Sequence, residues 1–300
     1  LSAAYYHDIG MVLFQQRLQE IFSKEKLHDH FFDFLEGIYN DKSSPLNDKI
    51  DFIELDGDLE WNKRIKFKNK VLDENSLNSF ISIFSDYIRK THGEESRNFI
   101  DKLYGKYDCS ETSITSIIPV RLFSILGQIC AGHTKDFCDV MKGISFEEQG
   151  VGDGYCCHPL LIACLLRMGD LLDLDNNRIN MASIAFYGIK SLPSDSRKHL
   201  LKHRSIDHLV IDNRKIDIHA KVDSDNNLVE TKGDCVNYEV AEVIYEWFSW
   251  LEKELQNQKS RWKSISPEYY NISLPDIGKL EVDLGNGYEY LIGKQKPQIE

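Results

Sequence analysis

The feature that most constrains this chain is a change in the period of its apolar residues. Over its first part they recur at helical spacing, and from Ser205 onward they alternate with polar ones. A helix buries one stripe and a strand one face, so each period commits its segment to one kind of element. Leu13, Phe14, Leu18, Ile21 and Phe22, then Phe31, Phe32 and Leu35, predict helix over residues 12–37. The same spacing returns in "LNSFISIFSDYIRKT", "SIIPVRLFSILGQICAGHT" and "HPLLIACLLRMGDLLDLD".

Residues 38–75 interrupt this pattern. They are rich in Asn, Asp, Lys and Ser, and "IDFIEL" and "RIKFKNKV" suit the two strands of a hairpin, so the segment reads as an insertion on the surface of a helical domain. Past Ser205, "SIDHLVID", "KIDIHAKVD" and "LVETKGD" predict a small antiparallel meander over 205–234. Val240, Val243, Ile244, Trp247, Phe248, Trp250 and Leu251 give the helix expected over 238–257 an apolar face to lay on it. "SLPDIGKLEVDLGNGYEYLI" adds one or two strands. The expected architecture is a mainly α helical bundle over 1–190, followed by a small α+β domain over 191–300.

A chain of 300 residues with 42% hydrophobic content can bury one good core with a second, smaller layer. Its longest apolar run, around "PLLIACLLRM", is too short and interrupted to cross a bilayer, and no basic-then-apolar leader opens the chain, so a cytoplasmic, membrane-free protein is expected. Seven cysteines without C-x-x-C spacing suggest neither a disulfide framework nor a zinc knuckle. A net charge of -12 argues against broad binding to a nucleic-acid backbone. The local exception is the stretch 196–215, where Arg197, Lys198, Lys202, Arg204, Arg214 and Lys215 form either a solvated face or a guide to a phosphate backbone.

The histidines and aspartates carry the chemistry. His7 and Asp8 stand side by side in "AYYHDIGM". A second pair, His28 and Asp29, fits a site less well: Leu27, Phe31, Phe32 and Leu35 define a buried face that leaves it at the edge, in solvent. His92 precedes Gly93, where a helix tends to stop, and His133 follows the buried run Ile125, Leu126, Ile129 and Cys130. Asp170 is apolar on nearly every side in sequence, so its charge would need a cation or strong hydrogen bonds. Histidine nitrogens and carboxylate oxygens are ligands shared by borderline and hard divalent ions, which gives these five groups a common purpose. Taken singly, each has a plain alternative as a core histidine or a helix cap.

In order, "YHDIGM", "THGEES", "ICAGHTKD" and "LLRMGDLLDLDNNR" resemble the HD superfamily of metal-dependent phosphohydrolases, and most closely the HD-CE-type group often joined to GHKL-type ATPase domains. The likeness runs on into "HLLKHRSIDHLVIDNRKIDIHAKV" and the Trp-rich helix, while 38–75 looks particular to this chain. The resemblance implies that His7 and Asp8 are paired metal ligands, with Asp8 placed to bridge two ions. It further implies that His92 and His133 hold the second metal and that Asp170 closes the site. One more histidine of the family pattern would lie on a helix upstream of Leu1. The implied cofactor is one or two divalent ions, among Mn, Mg, Fe, Ni and Zn.

Phosphoryl transfer needs positive charge beside the metal, because its transition state is stabilised mainly by positioning and electrostatics. Arg97, Lys135 and Arg167 are the candidates, with Arg178 beside Asp173 and Asp175; ion pairing with Asp170, Asp173 or Asp175 is the competing role for Arg167 and Arg178. The expected activity is hydrolysis of a phosphate ester in a nucleotide or oligonucleotide by metal-activated water. The rivals are a non-catalytic HD module that senses a nucleotide or a partner ATPase domain, and a nuclease guided by 196–215.

Overall fold

The computed structural model describes residues 2–11, 15–44, 46–69, 71–106, 121–174, 200, 202–221, 235–283 and 289–291. Their contacts divide the chain into two compact units, Leu1–Ala163 and Cys164–Glu300. The boundary expected near residue 190 lies outside the described residues.

The first unit is helical. Helix α1 (Ser2–Tyr6) gives way to a turn and a short 3-10 segment at Ile9–Met11. Then follow α2 (Gln15–Ser23), α3 (Glu25–Asn40) and the 33-residue α4 (Glu74–Lys106). Two antiparallel strands separate α3 from α4, β1 (Ile53–Leu55) and β2 (Ile65–Phe67), with Glu54 opposite Lys66. Helices α5 (Arg121–Gly132) and α6 (Phe137–Gly143) and the hairpin β3 (Gln149–Gly152) with β4 (Tyr155–Cys157) complete the unit. Helix α7 (Pro159–Leu171) contains the boundary.

Helical spacing explains α3: Phe31, Phe32, Leu35 and Ile38 share one buried face and leave the charged residues outside. Phe31 packs edge-on against Tyr87 and Phe84 of α4, at ring distances of 4.9 and 5.6 Å. The hairpin forms where its alternation predicts it. The segment is nevertheless no surface decoration: Leu46, Ile50, Phe52 and Ile53 are buried in the same cluster as Phe31, Leu35 and Phe84. Its polar composition reflects turns, while four apolar side chains reach inward. The single helix expected over 12–37 is likewise divided, α2 ending at Ser23 before α3 starts at Glu25.

The second unit carries a four-stranded sheet of order β5-β6-β7-β8, with β5 (Ile206–Ile211), β6 (Lys215–Lys221), β7 (Asp276–Asp283) and β8 (Glu289–Leu291). The β5-β6 and β7-β8 pairs are antiparallel, and β6-β7 is parallel. Helix α8 (Cys235–Ser260) lies between β6 and β7 in the chain, the long crossover that a parallel pair requires. Ala241, Ile244, Trp247, Phe248, Leu251 and Leu255 of α8 join Ile216, Ile218 and Ala220 of β6 and Leu280 and Val282 of β7 in one core. The third strand of the expected meander, at 228–234, lies outside the described residues. The far edge of β6 is taken by β7 instead, so the described sheet is mixed. Alternation marks which face of a strand is buried and is silent about which strand lies beside it.

Among the described residues no helix is long and apolar enough to cross a membrane. Cys130, Cys138, Cys156, Cys157 and Cys164 are free thiols.

Candidate metal centre

The dyad is held by the helix beneath it. Ser96 of α4 is fully buried; its hydroxyl donates to the carbonyl oxygen of His7 at 2.6 Å and accepts the backbone N–H of Gly10 at 2.9 Å. One side chain thus pins the turn on both sides of Asp8. Gly10 has to be a glycine: a β-carbon there would stand 2.2 Å from the carbonyl oxygen of His92. Sequence reasoning assigned no role to Ser96, although its place one turn after His92 in "THGEES" puts both on the same face of α4.

The second close approach joins α4 to α5. A β-carbon on Gly93 would lie 2.3 Å from Oγ1 of Thr134 and 3.2 Å from the carbonyl oxygen of Ala131. Gly93 therefore does not stop α4, which continues to Lys106. It lets the next helix approach, and that brings His133, just past the end of α5, to face His92.

Four side chains of this unit meet. Nε2 of His92 and Nε2 of His133 are 3.3 and 3.5 Å from Oδ1 of Asp8, and Nε2 of His7 is 3.4 Å from its Oδ2. The two nitrogens of His92 and His133 are themselves 2.8 Å apart. Asp8, His92 and His133 each offer a ligand atom within 4.8 Å of the others, a group able to hold a metal ion. His92 and His133 are buried, whereas Asp8 is half-buried. Burial opposes ionisation of Asp8, but the His133 and His92 rings that face it and the neighbouring His7 outweigh it and hold the carboxyl well below the usual carboxylate range.

The far sides of the rings fix their protonation. Nδ1 of His92 donates to the carbonyl oxygen of Arg89 at 2.5 Å, Nδ1 of His7 to that of Ala4 at 2.8 Å, and Nδ1 of His133 to that of Cys130. A carbonyl oxygen only accepts, so the proton of each neutral ring sits on Nδ1 and Nε2 keeps its lone pair. Two such lone pairs facing each other across 2.8 Å beside a carboxylate repel unless a proton or a cation lies between them. This donor set, two imidazoles and a carboxylate with backbone carbonyls orienting the rings, suits a divalent metal.

The remaining nominated residues are Asp170 and the four cations. Asp170 belongs to the second unit and is exposed, so the apolar letters around it did not signal burial: they line the inner face of α7. Arg167 is buried and grips Glu254 of α8 with two hydrogen bonds of 2.7 and 2.8 Å. That guanidinium is committed to the core by a carboxylate 87 residues further along the chain. Gln258, fully buried, donates to Glu254 at 2.9 Å and to the carbonyl oxygen of Cys164 at 3.0 Å. Arg97 lies 4.0 Å from Glu94 and 3.9 Å from Asp101, and Lys135 is 2.5 Å from Glu94. Arg178 lies outside the described residues.

His28 and Asp29 are corrected in part. His28 is buried, edge-on to Trp61 at 5.4 Å, and Asp29 pairs with Arg64 at 3.0 Å. The inserted segment supplies both partners, which the local helical pattern could not reveal. The basic stretch 196–215 loses Lys202 from any solvated face, since that lysine is buried.

A helical domain in which an adjacent histidine and aspartate meet two histidines from later helices defines an HD-type domain. The HD-CE family model matches residues 1–257, and the chain belongs to the HD-CE family. No curated protein and no solved structure matches it.

Proposed function

We propose that the protein is a metal-dependent phosphohydrolase that cleaves a phosphate ester of a nucleotide or oligonucleotide. The observation that carries this reading is the convergence of Nε2 of His92 and Nε2 of His133 on each other and on Asp8. A bound divalent cation would acidify a water molecule and polarise the phosphoryl oxygen. His92 and His133 hold their rings in the ligating tautomer, and Asp8, ionised over the neutral range, supplies the negative charge between them. His7 adds a third nitrogen at the second oxygen of Asp8. By family resemblance Asp170 contributes the closing carboxylate. Lys135 and Arg97 would orient the leaving or non-bridging oxygens once released from Glu94. In this reading a GHKL-type ATPase domain is the partner that the resemblance implies.

The test is hydrolysis. With Mn²⁺ or Mg²⁺ the protein should release phosphate or nucleoside monophosphate from a member of a nucleotide panel. Asp8→Ala should lose at least about a hundredfold of that rate while staying folded. Equal, negligible rates together with tight nucleotide binding by both proteins would make the site a receptor instead.

A further inference from the structure

A tight turn of four residues ordinarily closes on itself, the N–H of the fourth donating to the carbonyl oxygen of the first. In the turn that carries Asp8, His7 is the first residue and Gly10 the fourth. Here the N–H of Gly10 donates instead to Oγ of Ser96 at 2.9 Å, and the same hydroxyl donates to the carbonyl oxygen of His7 at 2.6 Å. A side chain 86 residues from Gly10 thus stands between the two groups that would otherwise bond to each other. Ser96 is fully enclosed. A serine inside a helix commonly turns its hydroxyl back onto the carbonyl one turn earlier in the same helix. This one is turned onto the dyad.

The place calls for a hydroxyl. It has to donate to His7 and accept from Gly10 at once, which a methyl group cannot do and a thiol does only weakly. Ser96 also lies one turn after His92 on α4, so one short piece of helix both presents a ligand nitrogen and fixes the turn that presents Asp8. The 3.3 Å between Nε2 of His92 and Oδ1 of Asp8 is therefore set through Ser96, across a contact between distant parts of the chain. Without the hydroxyl, the His7 carbonyl and the Gly10 N–H are left to satisfy each other. Closing that bond draws the turn together and moves the Asp8 carboxylate away from the imidazoles, so the loss falls on the site more than on the fold.

We propose that Ser96 is a positioning residue for the metal centre: by holding the dyad turn open it sets Asp8 against His92 and His133, and with it the affinity for the divalent ion. The proposal rests on the metal-dependent reading above. Because coupling is reciprocal, an ion held by Asp8 and His92 also holds the turn onto Ser96.

Ser96→Ala removes the hydroxyl and Ser96→Thr keeps it. Affinities for Mn²⁺, Ni²⁺ and Zn²⁺, measured by calorimetry on the full chain, should weaken at least about tenfold in Ser96→Ala and far less in Ser96→Thr, since removing a group that orients a ligand commonly costs a metal site about 10- to 100-fold. In EDTA the Ala variant should remain folded, its two backbone groups pairing with each other. Unchanged metal affinity in folded Ser96→Ala, beside a wild type that binds, would overturn this proposal and leave the metal reading standing. An equal loss in Ser96→Thr would overturn it too, because the serine would then act through packing alone. A wild type that binds none of the three ions would sink the metal reading, and this proposal with it. A measurement on the unmutated chain stands independently of variant folding: saturating metal should slow hydrogen exchange at the Gly10 amide, and an unaltered rate overturns the proposal.

Discussion

Nε2 of His92 and Nε2 of His133 lie 2.8 Å apart, and in each ring the opposite nitrogen is bonded to a carbonyl oxygen three residues earlier in the chain. Two acceptors at that distance, both directed at Asp8, form a contact that the protein stabilises only by sharing a proton or a cation.

Divalent metal should therefore raise thermal stability. Scanning fluorimetry in EDTA and in excess Mn²⁺ or Ni²⁺ should give a higher midpoint with metal, since a ligand at a hundred times its Kd adds about 2.7 kcal/mol. His133→Gln should abolish most of this shift. A midpoint indifferent to every divalent ion in the wild type would refute the metal centre.

Gly10 and Gly37 should respond in opposite directions to alanine. At Gly10 the new β-carbon meets the carbonyl oxygen of His92 at 2.2 Å, so the dyad turn must lift off α4. A loss of roughly 1–3 kcal/mol, with reduced metal content, is expected from overpacking of this kind. At Gly37, inside α3, nothing lies within 4 Å of the added carbon. Gly37→Ala should stabilise by up to about 1 kcal/mol through helix propensity alone. Urea unfolding of both variants checks the contrast.

Breaking the buried Arg167–Glu254 pair on one side should be severe. Arg167→Met leaves Glu254 charged and enclosed, at a cost of about 3–5 kcal/mol, whereas Arg167→Met with Glu254→Leu should recover much of it. Additive losses in that double-mutant cycle would show that the two do not act as a pair. Burial raises the pKa of Glu254, but hydrogen bonds from Arg167 and Gln258 outweigh it and leave the carboxyl lowered. A lowered carboxylate stabilises the fold above its unfolded pKa and ceases to do so as pH falls through its folded one. Wild-type stability should thus drop below about pH 4.5, with a shallower acid limb in Glu254→Gln.

His28 gives the opposite kind of group. Burial lowers its pKa, the charge of Asp29 raises it in part, and Arg64 lowers it again. Its Nδ1 is enclosed with no hydrogen-bond partner among the described residues. With the folded value below the unfolded one, the unfolded chain takes up the proton first. Stability should fall as pH drops from about 6.5 toward the folded value. His28→Phe, which keeps a ring against Trp61, should flatten that slope; an identical slope in both proteins would exclude His28 as its source.

The sequence by itself determined the elements and much of the chemistry. Helical period marked α3, α4, α5 and α7, alternation marked the β1-β2 hairpin, β5 and β6, and the motif order pointed to His7, Asp8, His92 and His133. These signals are local: a periodicity or a motif states what one segment buries or offers. Only the tertiary structure decided which segments are neighbours. It set β7 beside β6 in place of a meander strand, paired Arg167 with Glu254 from α8, and buried His28 under Trp61 of the inserted segment. It also gave Gly10, Gly93 and Ser96 their meaning, since close approach between elements distant in the chain is what excludes a β-carbon or calls for a hydroxyl. Burial and pairing depend on three-dimensional neighbours, and no linear period encodes them.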